Sequence, residues 1–138
     1  MPNVPVIIGP TAIGKTRLSL LLAEKTSSEI ISADSRQIYK YMDIGTAKVD
    51  KDSQKKVPHH MIDICNPEEY FSAGIYSKLA RKIIDHILNE SKTPIVVGGS
   101  GFYISALIDG IFDMQIHDPD IRKQLKHRFE SEGLDSLY

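Results

Sequence analysis

Eight consecutive residues near the amino terminus, Gly9-Pro10-Thr11-Ala12-Ile13-Gly14-Lys15-Thr16, leave few folds open to this chain. The pattern G-x-x-x-x-G-K-T is a phosphate-binding loop when a strand feeds it and a helix follows it. Both flanks are present. Val4, Val6, Ile7 and Ile8 form a nearly continuous apolar run, the pattern of a central strand covered on both faces. From Thr16 onward the spacing predicts a helix, with Leu18, Leu21, Leu22 and Lys25 on one side and Leu20 and Ala23 widening the apolar face.

The loop carries its own chemistry. Glycines at positions 9 and 14 let the backbone turn tightly so that successive amides converge on an anion, and the following helix adds its positive end. The expected diphosphate-binding set is therefore Gly9, Thr11, Ala12, Ile13, Gly14, Lys15 and Thr16. Lys15 supplies a mobile cation and Thr16 a hydroxyl for Mg2+. The motif reports a diphosphate-sized anion and leaves its carrier open.

Further along, residues 29–33 read as a second strand that delivers Asp34 and Ser35 at its carboxyl end, where open α/β sheets present ligand-contacting groups. Residues 35–41 suit a short helix, and residues 43–56 a long charged excursion with weak regular structure. A third strand is predicted over 60–64 and stops at Cys65-Asn66-Pro67. Ser72 is a candidate N-cap for a helix whose stripe is Tyr76, Leu79, Ala80, Ile83, Ile84 and Ile87, with Phe71 and Tyr76 placed for a staple. Residues 94–97 form a fourth strand, ending in a second glycine-rich turn, Gly98-Gly99-Ser100-Gly101, before a short helix to Ile108. Two such turns on one edge of a parallel sheet imply one shared cleft. From Pro119 a charged helix with a sparse stripe of Ile121, Leu125 and Phe129 runs to Gly133.

The fold class expected is α/β: a P-loop NTPase-like parallel sheet flanked by helices, incomplete, with the start of a helical insertion. Residues 1–116 form the partial core and 117–138 the beginning of the insertion. Four strands are few for such a sheet, and the chain reads as an amino-terminal fragment. Net charge is -1, with 17 Lys and Arg against 18 Asp and Glu, so no global basic field advertises a polyanionic partner. A single cysteine excludes an intrachain disulfide, no export signal opens the chain, and no apolar run nears the roughly 20 residues of a membrane span. A cytoplasmic protein without membrane association or a stable protein partner is expected, with Cys65 packed. His59 and His60 point apart on a strand and lack further ligands at zinc spacing, which favours packing or a hydrogen bond.

Residues 9–16, 32–39 (Ser-Ala-Asp-Ser-Arg-Gln-Ile-Tyr), 42–48 (Met-Asp-Ile-Gly-Thr-Ala-Lys), 58–63 (Pro-His-His-Met-Ile-Asp) and 98–103 (Gly-Gly-Ser-Gly-Phe-Tyr) carry a resemblance. In order and spacing they resemble the amino-terminal part of the tRNA dimethylallyltransferases. The resemblance implies that the loop holds the diphosphate of dimethylallyl diphosphate with Mg2+, and that the allylic carbon passes to N6 of adenosine 37 beside the tRNA anticodon. It implies Asp34 as general base, Lys15, Thr16 and Ser100 as further catalytic groups, and Ser35, Arg36, Gln37, Thr46 and Lys48 as contacts to the anticodon loop. Ser100 stands where the family usually has threonine, and Ile13 where a small polar residue is common.

Other readings stay open at this point. Asp34 follows Ile30 and Ile31 as an acid follows a strand in a nucleotide kinase, although no arginine-rich lid is visible. Asp34 also suits a Mg2+ ligand or a cap on the next turn. A noncatalytic phosphate-binding fragment is the third alternative.

Overall fold

The computed structural model describes residues 3–111 and 118–138. Its core is a four-stranded parallel sheet in the order β1-β4-β2-β3, built from β1 (Val6–Ile8), β2 (Ser28–Ala33), β3 (His59–His60) and β4 (Thr93–Gly98). Helix α1 (Lys15–Thr26) packs on one face, where Ala23, Ile30, Val57, Ile95 and Val97 form one apolar cluster. Helices α3 (Ala73–Asn89) and α4 (Gly101–Ile108) cover the other face, with Ile31, Val96, Tyr76, Ala80 and Ile104 in a larger cluster. The alternation Ile30/Ile31 and Ile95/Val96 sends successive side chains to opposite clusters, as a doubly covered strand requires.

The helix over 73–89 forms as its period predicts, and Ser72 accepts a hydrogen bond from the Ile75 amide at 3.2 Å. The staple partner differs: Phe71 meets the Tyr103 ring, with centroids 6.3 Å apart, and Tyr103 stacks on Tyr76 at 4.5 Å. Cys65 is packed, as expected. Helix α5 (Pro119–Glu132) is capped by Asp118 and ends at Gly133. The expected boundary at 116–117 touches residues outside the described ones. No helix among the described residues is long and apolar enough to cross a membrane.

Several local expectations are corrected. Strand β1 lies at the sheet edge and pairs with β4 alone, so Ile8 remains 59% exposed; the central strands are β4 and β2. On α1 the leucine face of Leu18, Leu21 and Leu22 points outward, while the small Ser19 and Ala23 lie against the sheet. The side of α1 that meets the sheet is thus the one carrying the small side chains. Residues 35–41 form turns instead of a helix because the Ile38 carbonyl accepts from the amides of Ile64 and Cys65, pairing the segment laterally. The third strand is cut to two residues, since Met61 and Asp63 take left-handed φ values of 63° and 56°. The charged excursion contains a short helix, α2 (Lys51–Lys56), whose first turn is capped by Asp50 and whose last turn carries Lys55 and Lys56.

Candidate active site

The phosphate loop leaves β1 and reaches α1 through left-handed φ values at Ala12 (67°) and Gly14 (96°). Gly14 occupies the N-cap without a side chain to offer, so no side-chain cap takes up the first-turn amides of α1. The Lys15 ammonium folds across the loop and donates to the Pro10 carbonyl at 2.6 Å. Ile13 projects outward, 66% exposed, which leaves the inner face of the loop to the backbone.

The second glycine turn closes on the first through β4. A Cβ at Gly98 would collide with the carbonyl of Ala33, its ladder partner, so β2 and β4 can end together only with glycine here. Gly99 then lies against the Gly9 carbonyl and the Lys15 ammonium. From the same corner the Ser100 amide donates to Ala33 O at 3.1 Å, and the Ser100 hydroxyl accepts from the Ser35 amide at 2.8 Å. Ser100 braces the turn that carries Asp34; it does not line the cleft.

Asp34 stands at the carboxyl end of β2. Its Oδ1 accepts from the amides of Arg36 at 2.9 Å and Gln37 at 3.3 Å, which orients the carboxylate, while Oδ2 has no hydrogen-bond partner among the described residues. Asp34 therefore caps a turn and keeps one oxygen free.

A cavity of about 340 Å³ opens between these parts. Of the expected site residues, Thr11, Ala12, Gly14, Lys15, Thr16, Asp34 and Gln37 line it. Gly9, Ile13, Ser35, Arg36, Thr46, Lys48 and Ser100 do not. Ser35 and Arg36 are exposed beside Asp34. Three residues expected at the RNA interface are engaged internally: Gln37 Nε2 donates to Ala47 O at 3.0 Å, the Thr46 hydroxyl donates to Met42 O at 2.7 Å, and the Lys48 side chain is 4% exposed within an ionic cluster. Sequence alone does not show the Gln37 and Lys48 contacts, because Ala47 and Asp63 come from segments 10 and 15 positions away.

Residues not anticipated also face the cavity, among them Arg17, Ser32, His59 and the wall of Ala47 and Val49. Arg17 had a signal: a cation in the first turn of a helix opposes the dipole unless an anion binds there. His59 had only its register opposite Ile30. Its Nδ1 lies 2.7 Å from Val57 O, and since a carbonyl only accepts, Nδ1 carries the proton. The buried Nε2 has no hydrogen-bond partner among the described residues. Burial pushes the imidazole below its usual range, against a smaller opposing effect of the Val57 carbonyl. His60 instead meets Glu29 at 2.7 Å on the far side, so the two rings do diverge.

The IPP transferase profile matches residues 37–138 of this chain. The chain belongs to the IPP transferase family. Within that family it is 49% identical over 139 residues to a tRNA dimethylallyltransferase of Acetivibrio thermocellus, covering all of this chain and 44% of the relative. It is 48% identical to that of Bacillus subtilis, covering 98% of this chain and 43% of the relative. The crystal structure of the full-length tRNA isopentenylpyrophosphate transferase from Bacillus halodurans superposes with a TM-score of 0.79 at 40% identity, over 99% of this chain and 46% of that one. The chain thus spans less than half the length of these IPP transferase relatives.

Proposed function

We propose that the protein transfers a dimethylallyl group from dimethylallyl diphosphate to N6 of adenosine 37 in tRNA and releases diphosphate. The observation that carries this is the shared cavity: Asp34 lines it together with Lys15 and Thr16 of the phosphate loop. The relatives named as tRNA dimethylallyltransferases support the choice of donor and acceptor.

The loop amides and Lys15 hold the diphosphate, and they gain strength as the carbon–oxygen bond breaks and charge collects on the departing group. To reach the phosphate, Lys15 exchanges the Pro10 carbonyl for a charged acceptor, the stronger partner. Asp34, held by two amides, offers its free oxygen to the incoming amine, orienting it and accepting its proton. Ser100 fixes the backbone on which Asp34 rides.

The Thr16 hydroxyl fits a hard divalent cation that would take its remaining ligands from phosphate and water. No cluster of three or more His, Cys, Asp or Glu that could hold a metal occurs among the described residues. When bound, the ion neutralises the diphosphate. Ser35 and Arg36 meet the anticodon loop, Arg36 by its charge, a reading supported by their exposure beside Asp34. Residues 118–138 begin the helical part that holds the tRNA, and the reaction takes place in the cytoplasm.

The test uses the protein in its full natural length with dimethylallyl diphosphate, Mg2+ and tRNA bearing unmodified adenosine 37. Prenyl incorporation is expected, and Asp34→Asn lowers it by about 10²-fold or more while diphosphate affinity stays within about threefold. An inert wild type that instead moves phosphate from ATP to a small acceptor overturns the assignment.

A further inference from the structure

Ala47 and Val49 contribute to the wall of the cavity that the phosphate loop also lines. Ala47 takes a left-handed φ of 50°, a conformation that a residue with a Cβ holds only when its surroundings impose it. From the cavity side, Gln37 Nε2 grips the Ala47 carbonyl at 3.0 Å. From behind, the Lys48 ammonium donates to Asp63 Oδ1 at 2.6 Å, Asp43 Oδ1 at 2.7 Å and the Tyr39 carbonyl at 2.8 Å. Lys51 binds the other oxygen of Asp63 at 2.9 Å.

We infer that Lys48 is a positioning residue, a latch that pins the 47–49 wall against the active-site cavity, and not a contact to RNA phosphate. An ammonium has three N–H donors, and all three are used. Two carboxylates already neutralise Lys48 and Lys51, so the cluster presents no net positive charge to a polyanion. Burial alone would weaken the charged form, but the bonds from Asp43 and Asp63 outweigh it and hold the lysine protonated. Lys48 reaches the chemistry through its own backbone: the side chain anchors to Asp63 behind the wall, and the flanking residues shape the cavity in front. The kinetic part of this inference rests on the proposed function; the anchoring itself does not.

The test compares Lys48→Met, Asp63→Asn and Asp43→Asn in the full-length protein by hydrogen exchange, turnover at saturating tRNA and tRNA affinity across salt concentrations. Lys48→Met and Asp63→Asn are expected to speed exchange at amides 45–49. They are expected to lower kcat about 10-fold or more while leaving tRNA Kd within about twofold and its salt slope unchanged. Asp43→Asn, whose carboxylate is 68% exposed, should do much less. Asp63→Asn decides the matter if Lys48→Met does not fold. The inference is overturned if Lys48→Met lowers the salt slope by about one and leaves exchange unchanged. A fall in thermal stability alone, with exchange and kcat intact, overturns it equally. A wild type that transfers no prenyl group refutes the proposed function, and the exchange measurement still judges the latch.

Discussion

Replacing Gly98 with alanine puts one methyl group where β2 and β4 finish side by side. The added carbon would overlap the Ala33 carbonyl, a backbone atom that cannot swing aside as a side-chain tip can. The strands must separate locally, and the damage can be worked from the contacts at that corner. Overpacking a close-packed site costs about 1–3 kcal/mol. The Ser100 amide loses Ala33 O, and the Ser100 hydroxyl loses the Ser35 amide, at about 1 kcal/mol each. A loss of about 3–5 kcal/mol follows, a large share of the roughly 5–15 kcal/mol that holds a domain folded. At roughly 2–4 °C per kcal/mol for a protein of the full length, melting drops by about 6–20 °C. Asp34 directly follows Ala33, so on the proposed function transfer at a temperature where the variant remains folded should fall about 10-fold or more, the carboxylate being displaced from the approach to the amine proposed for it. Calorimetry and single-turnover prenyl transfer on full-length Gly98→Ala measure the two effects. Stability within about 1 kcal/mol of wild type, together with unchanged turnover, would refute the reasoning and show that the strand ends yield at no cost.

The buried Glu29 carboxylate accepts from Lys92 and His60, each at 2.7 Å, and Glu29→Gln should cost about 2 kcal/mol near neutral pH by chemical denaturation. Burial favours the neutral carboxyl, but the bonds from Lys92 and His60 outweigh it and hold the group below its usual value of 4.5. The wild-type advantage is therefore complete above about 4.5 and shrinks as pH falls through the lowered value; an advantage that grew with acid would contradict the ion pair. His59 is held neutral by burial, so its unfolded form gains a proton first as pH drops below 6.5. That makes acid destabilising from there downward, and an NMR titration midpoint of the ring at or above 6.5 would exclude the buried, Val57-bound tautomer.

What proved legible in the sequence were the features whose cause is local. The phosphate loop declares itself because a tight anion-binding turn needs glycine at fixed spacing, and Ala73–Asn89 declares itself because its apolar period and Ser72 cap agree. Asp34 could be placed at a strand end because the run before it alternates between two buried faces. Features that depend on a distant partner were misread or missed. The outward placing of Leu18, Leu21 and Leu22 depends on which side of α1 meets β2 and β4, which their spacing does not encode. Lys48 shows the same divide: its charge and its place in the 42–48 segment suggest an RNA phosphate, but Asp63 lies 15 positions away and takes the ammonium.

The sequence by itself determined that a strand, an anion-binding turn and a helix open this chain, and that a carboxylate ends the next strand, since backbone sterics and apolar period act over a few residues. Only the tertiary structure decided which of the polar side chains remain free to act. A hydrogen-bond donor is spent or available according to what folding brings within about 3 Å of it, and that distance is set by packing between segments far apart in the chain.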